Sequence, residues 1–206
     1  TPSNSSAASD VYKRQVPAGA GRSSPGLSGK GGIPVLSVYL ICVGKLKEKF
    51  YQEACAEYIK RLSPYCRLTL VELPEEKLPQ DPSQAQIDAA LEKESQAIRA
   101  KLPPSTSLVC LCVEGRLRSS EELSALVGTW EHSSAKHLAF VIGGSWGLWE
   151  EVKRKAALRL SMSPMTFPHQ LARVMLCEQI YRAFQIAHSG KYHKSVSYTH
   201  LRAHET

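Results

Sequence analysis

Three stretches toward the C-terminal end of the chain carry the groups best suited to holding a ligand or moving a proton. The first is Gly143-Gly144-Ser145-Trp146-Gly147, which closes the apolar run Leu138–Ile142. Glycines after a strand let backbone amides approach a ligand closely, although the same pattern serves an ordinary tight strand-to-helix turn. It is not the dinucleotide GxGxxG, and no phosphate-gripping lysine loop is present. The second is the loop Met162, Ser163, Pro164, Met165, Thr166 and Phe167, more apolar than a turn requires. Such residues either pack onto the core or line a pocket for an adenine ring or a thioether, with backbone groups reading the polar edges. The third is Gly190-Lys191-Tyr192-His193-Lys194. It reads either as a frayed terminus or as a nucleic-acid contact. In the second reading the lysines grip phosphate, Tyr192 stacks on a base and His193 stands near a proton transfer.

Around these stretches, Glu178 and Arg182 lie one helical turn apart, as an ion pair would. Arg173 and Tyr181 fall on a neighbouring stripe that a partner contact could bury. Lys153, Arg154, Lys155 and Arg159 read as a solvated face, with phosphate contact as the alternative. No His, Cys, Asp or Glu cluster has metal-ligand spacing, so no metal is expected.

Strands and helices must alternate to hold such loops. Val38–Val43, Leu68–Leu73, Leu108–Val113 (ending at Glu114-Gly115), Leu138–Ile142 and Leu158–Leu160 are strand-like, three of them uninterrupted apolar runs. Glu48–Leu62, Gln84–Lys101, Ser120–Trp130, Leu148–Lys155 and His169–His188 are helix-like, with Ser120-Glu-Glu supplying a cap and an acidic first turn. On the last helix, Leu171, Val174, Met175, Ile180, Ala183, Phe184 and Ala187 form the apolar stripe. The expected fold class is α/β, a mainly parallel sheet with helices on both faces.

The whole chain carries 26 basic and 19 acidic residues, a net +7. Residues 1–34 and 195–206 read as foreign or structureless. The codons of Asp10–Gln15, taken from the opposite strand in another frame, encode Val196–His200, as translated sequencing adapter would. Residues 16–34 are rich in Gly, Ser and Pro. The expected domain is therefore 35–194. Without Lys13, Arg14, Arg22, Lys30, Arg202, Asp10 and Glu205 it carries 21 basic and 17 acidic residues, or +4. That is compatible with an RNA partner and does not demand one. The six cysteines sit inside apolar patterns without a CxxC, as reduced core cysteines of a cytoplasmic protein do. No membrane-length apolar stretch or signal peptide is visible.

Together, Leu40–Leu46, Glu57–Leu62, Ile142–Leu148, Met165–His169, Tyr181–Phe184 and Tyr192–Lys194 resemble the ribosomal RNA large subunit methyltransferase H family, in order and at family spacing. The resemblance implies a SPOUT-type fold whose C-terminal segment is threaded as a trefoil knot, and a homodimer. It also implies an activity: S-adenosylmethionine-dependent methylation of N3 of a pseudouridine in 23S rRNA, in the large subunit or the 70S ribosome. Carried over, the cofactor residues are Leu111, Gly143, Met162, Ser163, Pro164, Met165, Thr166 and Phe167. His193 would take the N3 proton, Tyr192 would place the base, and Arg173, Glu178 and Arg182 would order the dimer interface or the RNA. A non-catalytic RNA- or ribosome-binding domain is the alternative, and a generic nucleotide-binding α/β protein a weaker one.

Overall fold

Apolar alternation within each strand decides the layering. In the computed structural model, which describes residues 36–133 and 137–189, β1 (Ser37–Val43) sends Val38, Leu40 and Cys42 to one face and Ile41 and Val43 to the other. β4 (His137–Ile142) repeats this, with Leu138, Phe140 and Ile142 opposed to Ala139 and Val141. Both faces are apolar, so both must be covered. The strands β2 (Arg67–Leu73), β3 (Thr106–Leu117) and β5 (Leu158–Ser161) complete a parallel sheet in the order β2-β1-β4-β3-β5. Helices α1 (Lys49–Leu62), α3 (Ser120–Glu131) and α5 (His169–Ser189) pack on one face. On the other face lie α2 (Gln84–Lys101) and α4 (Glu150–Lys155). The fold class is α/β as expected from the sequence.

The crossovers decide where the strand-end loops part. From β1 the chain turns outward to β2, whereas from its neighbour β4 it crosses β3 to reach β5. Loops that leave adjacent parallel strands in opposite directions open a crevice at their C-terminal ends, where α/β proteins hold ligands.

Three local expectations are corrected. The cap of α3 is Ser119, not Ser120: its hydroxyl accepts from the Glu122 amide and its own amide donates to the Glu122 carboxylate. A Ser120 cap would put Leu123 in the reciprocating position, where no acceptor exists. β3 does not stop at Glu114-Gly115 but continues to Leu117, because four residues bulge out between Leu111 and Arg116, both opposite Leu160. Gly115 permits the return: a Cβ there would lie 2.7 Å from the Leu160 carbonyl carbon and 2.8 Å from the Ser161 nitrogen. On α5 the fully buried face runs through Ala172, Arg173, Leu176, Cys177, Ile180, Ala183 and Phe184, while Ala187 is exposed. Arg173 thus faces its own sheet, where its Nη1 meets Glu72 and its Nη2 donates to the Gly44 carbonyl at 2.9 Å. It is 0% exposed, so it is neither an RNA contact nor a residue awaiting a partner subunit. Tyr181 is half-buried against Tyr58 and Tyr65. The expected foreign segments, together with Lys191, Tyr192, His193 and Lys194, lie outside the described residues.

Candidate functional site

The C-terminal ends of β3, β4 and β5 and the start of α5 enclose a cavity of about 730 Å³. That falls within the range of small-molecule and cofactor sites.

Each wall follows from local chemistry. After β4, Gly143 is buried, and a Cβ on it would lie 2.1 Å from the Gly147 carbonyl oxygen, so only glycine lets the chain fold back here. The turn closes with the Gly147 amide donating to the Gly144 carbonyl at 3.1 Å, and Gly147 takes a φ of +85°. Its position is set from outside: the Ser145 amide donates to Glu75 Oε1 at 2.7 Å. After β5, the Ser161 hydroxyl donates to the Ser163 carbonyl at 3.0 Å, and the Met165 amide donates to the Ser163 hydroxyl at 3.0 Å. These short-range bonds wind residues 161–165 into a tight turn and leave Met165 70% exposed.

Of the residues expected at a cofactor, Leu111, Gly143, Met162, Ser163, Met165, Thr166 and Phe167 all border this cavity. Pro164 sits in the same loop and is not among the residues that line it. Glu178 and Arg182 pair with each other on α5 and do not line the cavity. The Arg182 Nε donates to Glu178 Oε1 at 2.9 Å, the one-turn ion pair that their spacing allows.

Sequence reasoning misses several lining residues. Cys112, Val113 and Glu114 reach the cavity from the β3 bulge, Lys153 from α4, and His169 from the first position of α5. A strand interrupted by glycine and resuming at Arg116-Leu117 is the available signal for the bulge. Lys153, read as part of a solvated face, is instead held between Glu114 Oε1 at 2.7 Å and Glu150 Oε2 at 3.0 Å. Burial alone would lower its pKa, but these two carboxylates outweigh burial and raise it. Glu114 in turn is held below the usual carboxylate range, mainly by the Lys153 hydrogen bond. The cation stays charged and compensated, which makes it a poor grip for a polyphosphate.

Much of the remaining surface is apolar, from Leu111, Ile142, Leu160, Met162 and Phe167, with the Thr166 hydroxyl, the His169 imidazole and the backbone and serines of two turns supplying polar groups. Such a site accepts a flat heteroaromatic ring or a thioether and reads polar edges through the backbone. Among the described residues no group of three or more His, Cys, Asp or Glu side chains is placed to hold a metal ion.

The chain is similar to the crystal structure of a probable methyltransferase from Bordetella pertussis Tohama I, at 17% identity over 72% of this chain and 95% of that one, with a TM-score of 0.47. A probable methylase family protein from Haemophilus influenzae Rd KW20 aligns at 16% identity over 80% of this chain and 73% of its own, with a TM-score of 0.44. The sequence profile of the family described as "predicted SPOUT methyltransferase" matches residues 36–193, most of the chain. The chain belongs to the SPOUT methyltransferase family.

Proposed function

We propose that this protein is an S-adenosylmethionine-dependent methyltransferase acting on N3 of a pseudouridine in 23S rRNA, within the large subunit or the 70S ribosome. In this reading it is a homodimer with a knotted C-terminal segment. The observation that carries the reading is the convergence of Leu111, Gly143 and the Met162–Phe167 loop, far apart in sequence, on one largely apolar cavity at the strand ends. The donor fits that cavity in size and chemistry. Leu111, Ile142, Leu160 and Phe167 give apolar surface for the adenine and for a sulfur that becomes a neutral thioether. The turns at residues 143–147 and 161–165 offer backbone donors and acceptors for its polar edges.

When bound, S-adenosylmethionine supplies a methyl group already activated on a sulfonium sulfur. The chain's own residues then have to hold donor and acceptor in line and give the N3 proton somewhere to go. The apolar walls exclude water from the transfer, and the glycine turn fixes the depth of the nucleoside. His193 is the proposed proton acceptor and Tyr192 the proposed stacking partner of the target base. Glu178 and Arg182 are proposed to order the partner subunit or the RNA outside the cavity.

Transfer of labelled methyl from S-adenosylmethionine to ribosomes, or to rRNA lacking the modification, tests the reading. Label on a single pseudouridine is the expected result. No transfer, together with no calorimetric binding of S-adenosylmethionine at millimolar ligand, would overturn it. His193→Ala with unchanged transfer and unchanged donor binding would remove His193 from the proton step.

A further inference from the structure

We infer that Glu75 is a positioning residue for the cavity: its carboxylate pins the Gly144–Ser145 turn across the crevice between β1 and β4 and so sets the mouth through which a methyl donor enters. The inference rests on the proposed donor site and adds to it a residue from the other half of the sheet.

Glu75 follows β2, one strand beyond β1, and is not among the residues that line the cavity. Its Oε1 accepts the Ser145 amide at 2.7 Å across a sequence separation of 70. The side chain also lies flat against Gly144. A Cβ on Gly144 would sit 2.7 Å from Oε1, 3.1 Å from Cδ and 3.2 Å from Cγ of Glu75. Gly144 is not one of the positive-φ glycines, so what would crowd a side chain there is the Glu75 carboxylate and not the backbone conformation. The other oxygen faces the opposite wall of the crevice: a Cβ on Gly44, at the exit of β1, would lie 3.8 Å from Oε2 and 3.5 Å from His169 Nε2. One carboxylate is therefore hydrogen-bonded to the exit of β4 and lies beside the exit of β1, within electrostatic reach of His169 at the start of α5, at the point where the two strands' connections diverge.

The charge state favours the latch. Burial would raise the Glu75 pKa, but the Ser145 hydrogen bonds and the charges of His169 and Lys47 outweigh it and hold the carboxyl below its ordinary range. Glu94 of α2 faces it with like charge. Within the turn itself the Gly147 amide donates to the Gly144 carbonyl and the two glycines form an antiparallel bridge, whereas the Ser145 amide is held from outside by Glu75.

The test uses the full chain and two readouts. Hydrogen exchange of the 143–148 amides reports the latch with no ligand present, and calorimetry with S-adenosylmethionine reports its consequence. Glu75→Ala is expected to deprotect the Ser145 amide and to weaken donor binding about tenfold, the order of one lost charge-assisted hydrogen bond. Glu75→Gln keeps an acceptor and should retain most of the affinity. Gly144→Ala pushes the carboxylate aside and should match Glu75→Ala, with the double variant no worse than either single. Unchanged Ser145 exchange in Glu75→Ala, or additive losses in the double variant, would overturn the inference. If the wild-type protein binds no donor, the donor-site reading fails, and the exchange data alone then decide whether the latch exists.

Discussion

Arg173 gives the sharpest stability prediction, because its two partners are unequally exposed. Its side chain is 1% exposed while that of Glu72 is 22% exposed. Glu72 also accepts the Leu46 amide at 3.1 Å, so it keeps one partner and some water when the arginine is lost. Removing one member of a buried pair costs roughly 3–5 kcal/mol. Arg173→Met should fall near the lower end, about 3 kcal/mol, since it strands only a partly hydrated carboxylate and one carbonyl. Glu72→Gln should cost at least as much, because it leaves a fully buried guanidinium facing a neutral amide and the Gly44 carbonyl. The double variant removes both charges, keeps an acceptor for Leu46, and should be more stable than Glu72→Gln alone. Urea denaturation followed by tryptophan fluorescence measures this, at fixed protein concentration so that any self-association is constant. With a slope of about 2 kcal/mol/M, the Arg173→Met midpoint should fall by about 1.5 M. Additive costs in the double variant, or an Arg173→Met midpoint within error of wild type, would refute an ion pair anchoring α5 to the strand ends.

The site and its surroundings set four further outcomes. Gly143→Ala places a Cβ against the Gly147 backbone and should weaken S-adenosylmethionine binding by tenfold or more in calorimetry. Gly128→Ala, with nothing within 4 Å of the new Cβ, should be neutral or stabilising by up to about 1 kcal/mol in a helix interior, as read from the urea midpoint. Cys42, Cys66 and Cys110 are buried and their thiols are pushed up to about 12, so maleimide should label the half-buried Cys112 first. Burial raises the Cys112 pKa too, so labelling should quicken with rising pH and slow when ligand fills the cavity that Cys112 lines; mass spectrometry of the peptide reads both. Glu94 is raised, chiefly by burial, and still accepts the Glu76 amide at 2.9 Å. A carboxyl raised by folding costs stability above its unfolded pKa as it ionises. Glu94→Gln should therefore raise the melting temperature at neutral pH, with the gain shrinking as pH falls through the carboxylate range; a gain that grows on acidification would contradict the assignment.

How much of the fold and the site is legible in the sequence depends on how local the cause is. The strands can be read because both faces are buried, which makes Val38–Val43 and Leu138–Ile142 continuous apolar runs. The Gly143–Gly147 and Met162–Phe167 loops can be read because they break such runs. The β3 bulge leaves only the glycine before Arg116-Leu117 as a trace, because its cause is not local: the β5 backbone faces Gly115. The α5 stripe misleads for a related reason. Arg173 looks like surface on a helical wheel, yet its charge is answered by Glu72, 101 residues away, and its Nη2 by the Gly44 carbonyl, 129 residues away.

Distance in sequence also makes the site's framework harder to see than its walls. Pocket walls are made by residues whose own types announce a turn or an apolar loop. The groups that hold those walls in place are acidic and basic residues in polar surroundings, such as Glu75 in Leu73-Pro-Glu-Glu-Lys77, and these read as solvent-facing until a distant backbone amide is found beside them. Glu75, Glu72 and Arg173 all act at the exits of β1 and β2, and none of the three lines the cavity. A parallel sheet delivers its loops to one edge but does not by itself fix their spacing. Here that spacing is set by long-range charged contacts, so substitutions at positions that never touch a ligand should change its affinity.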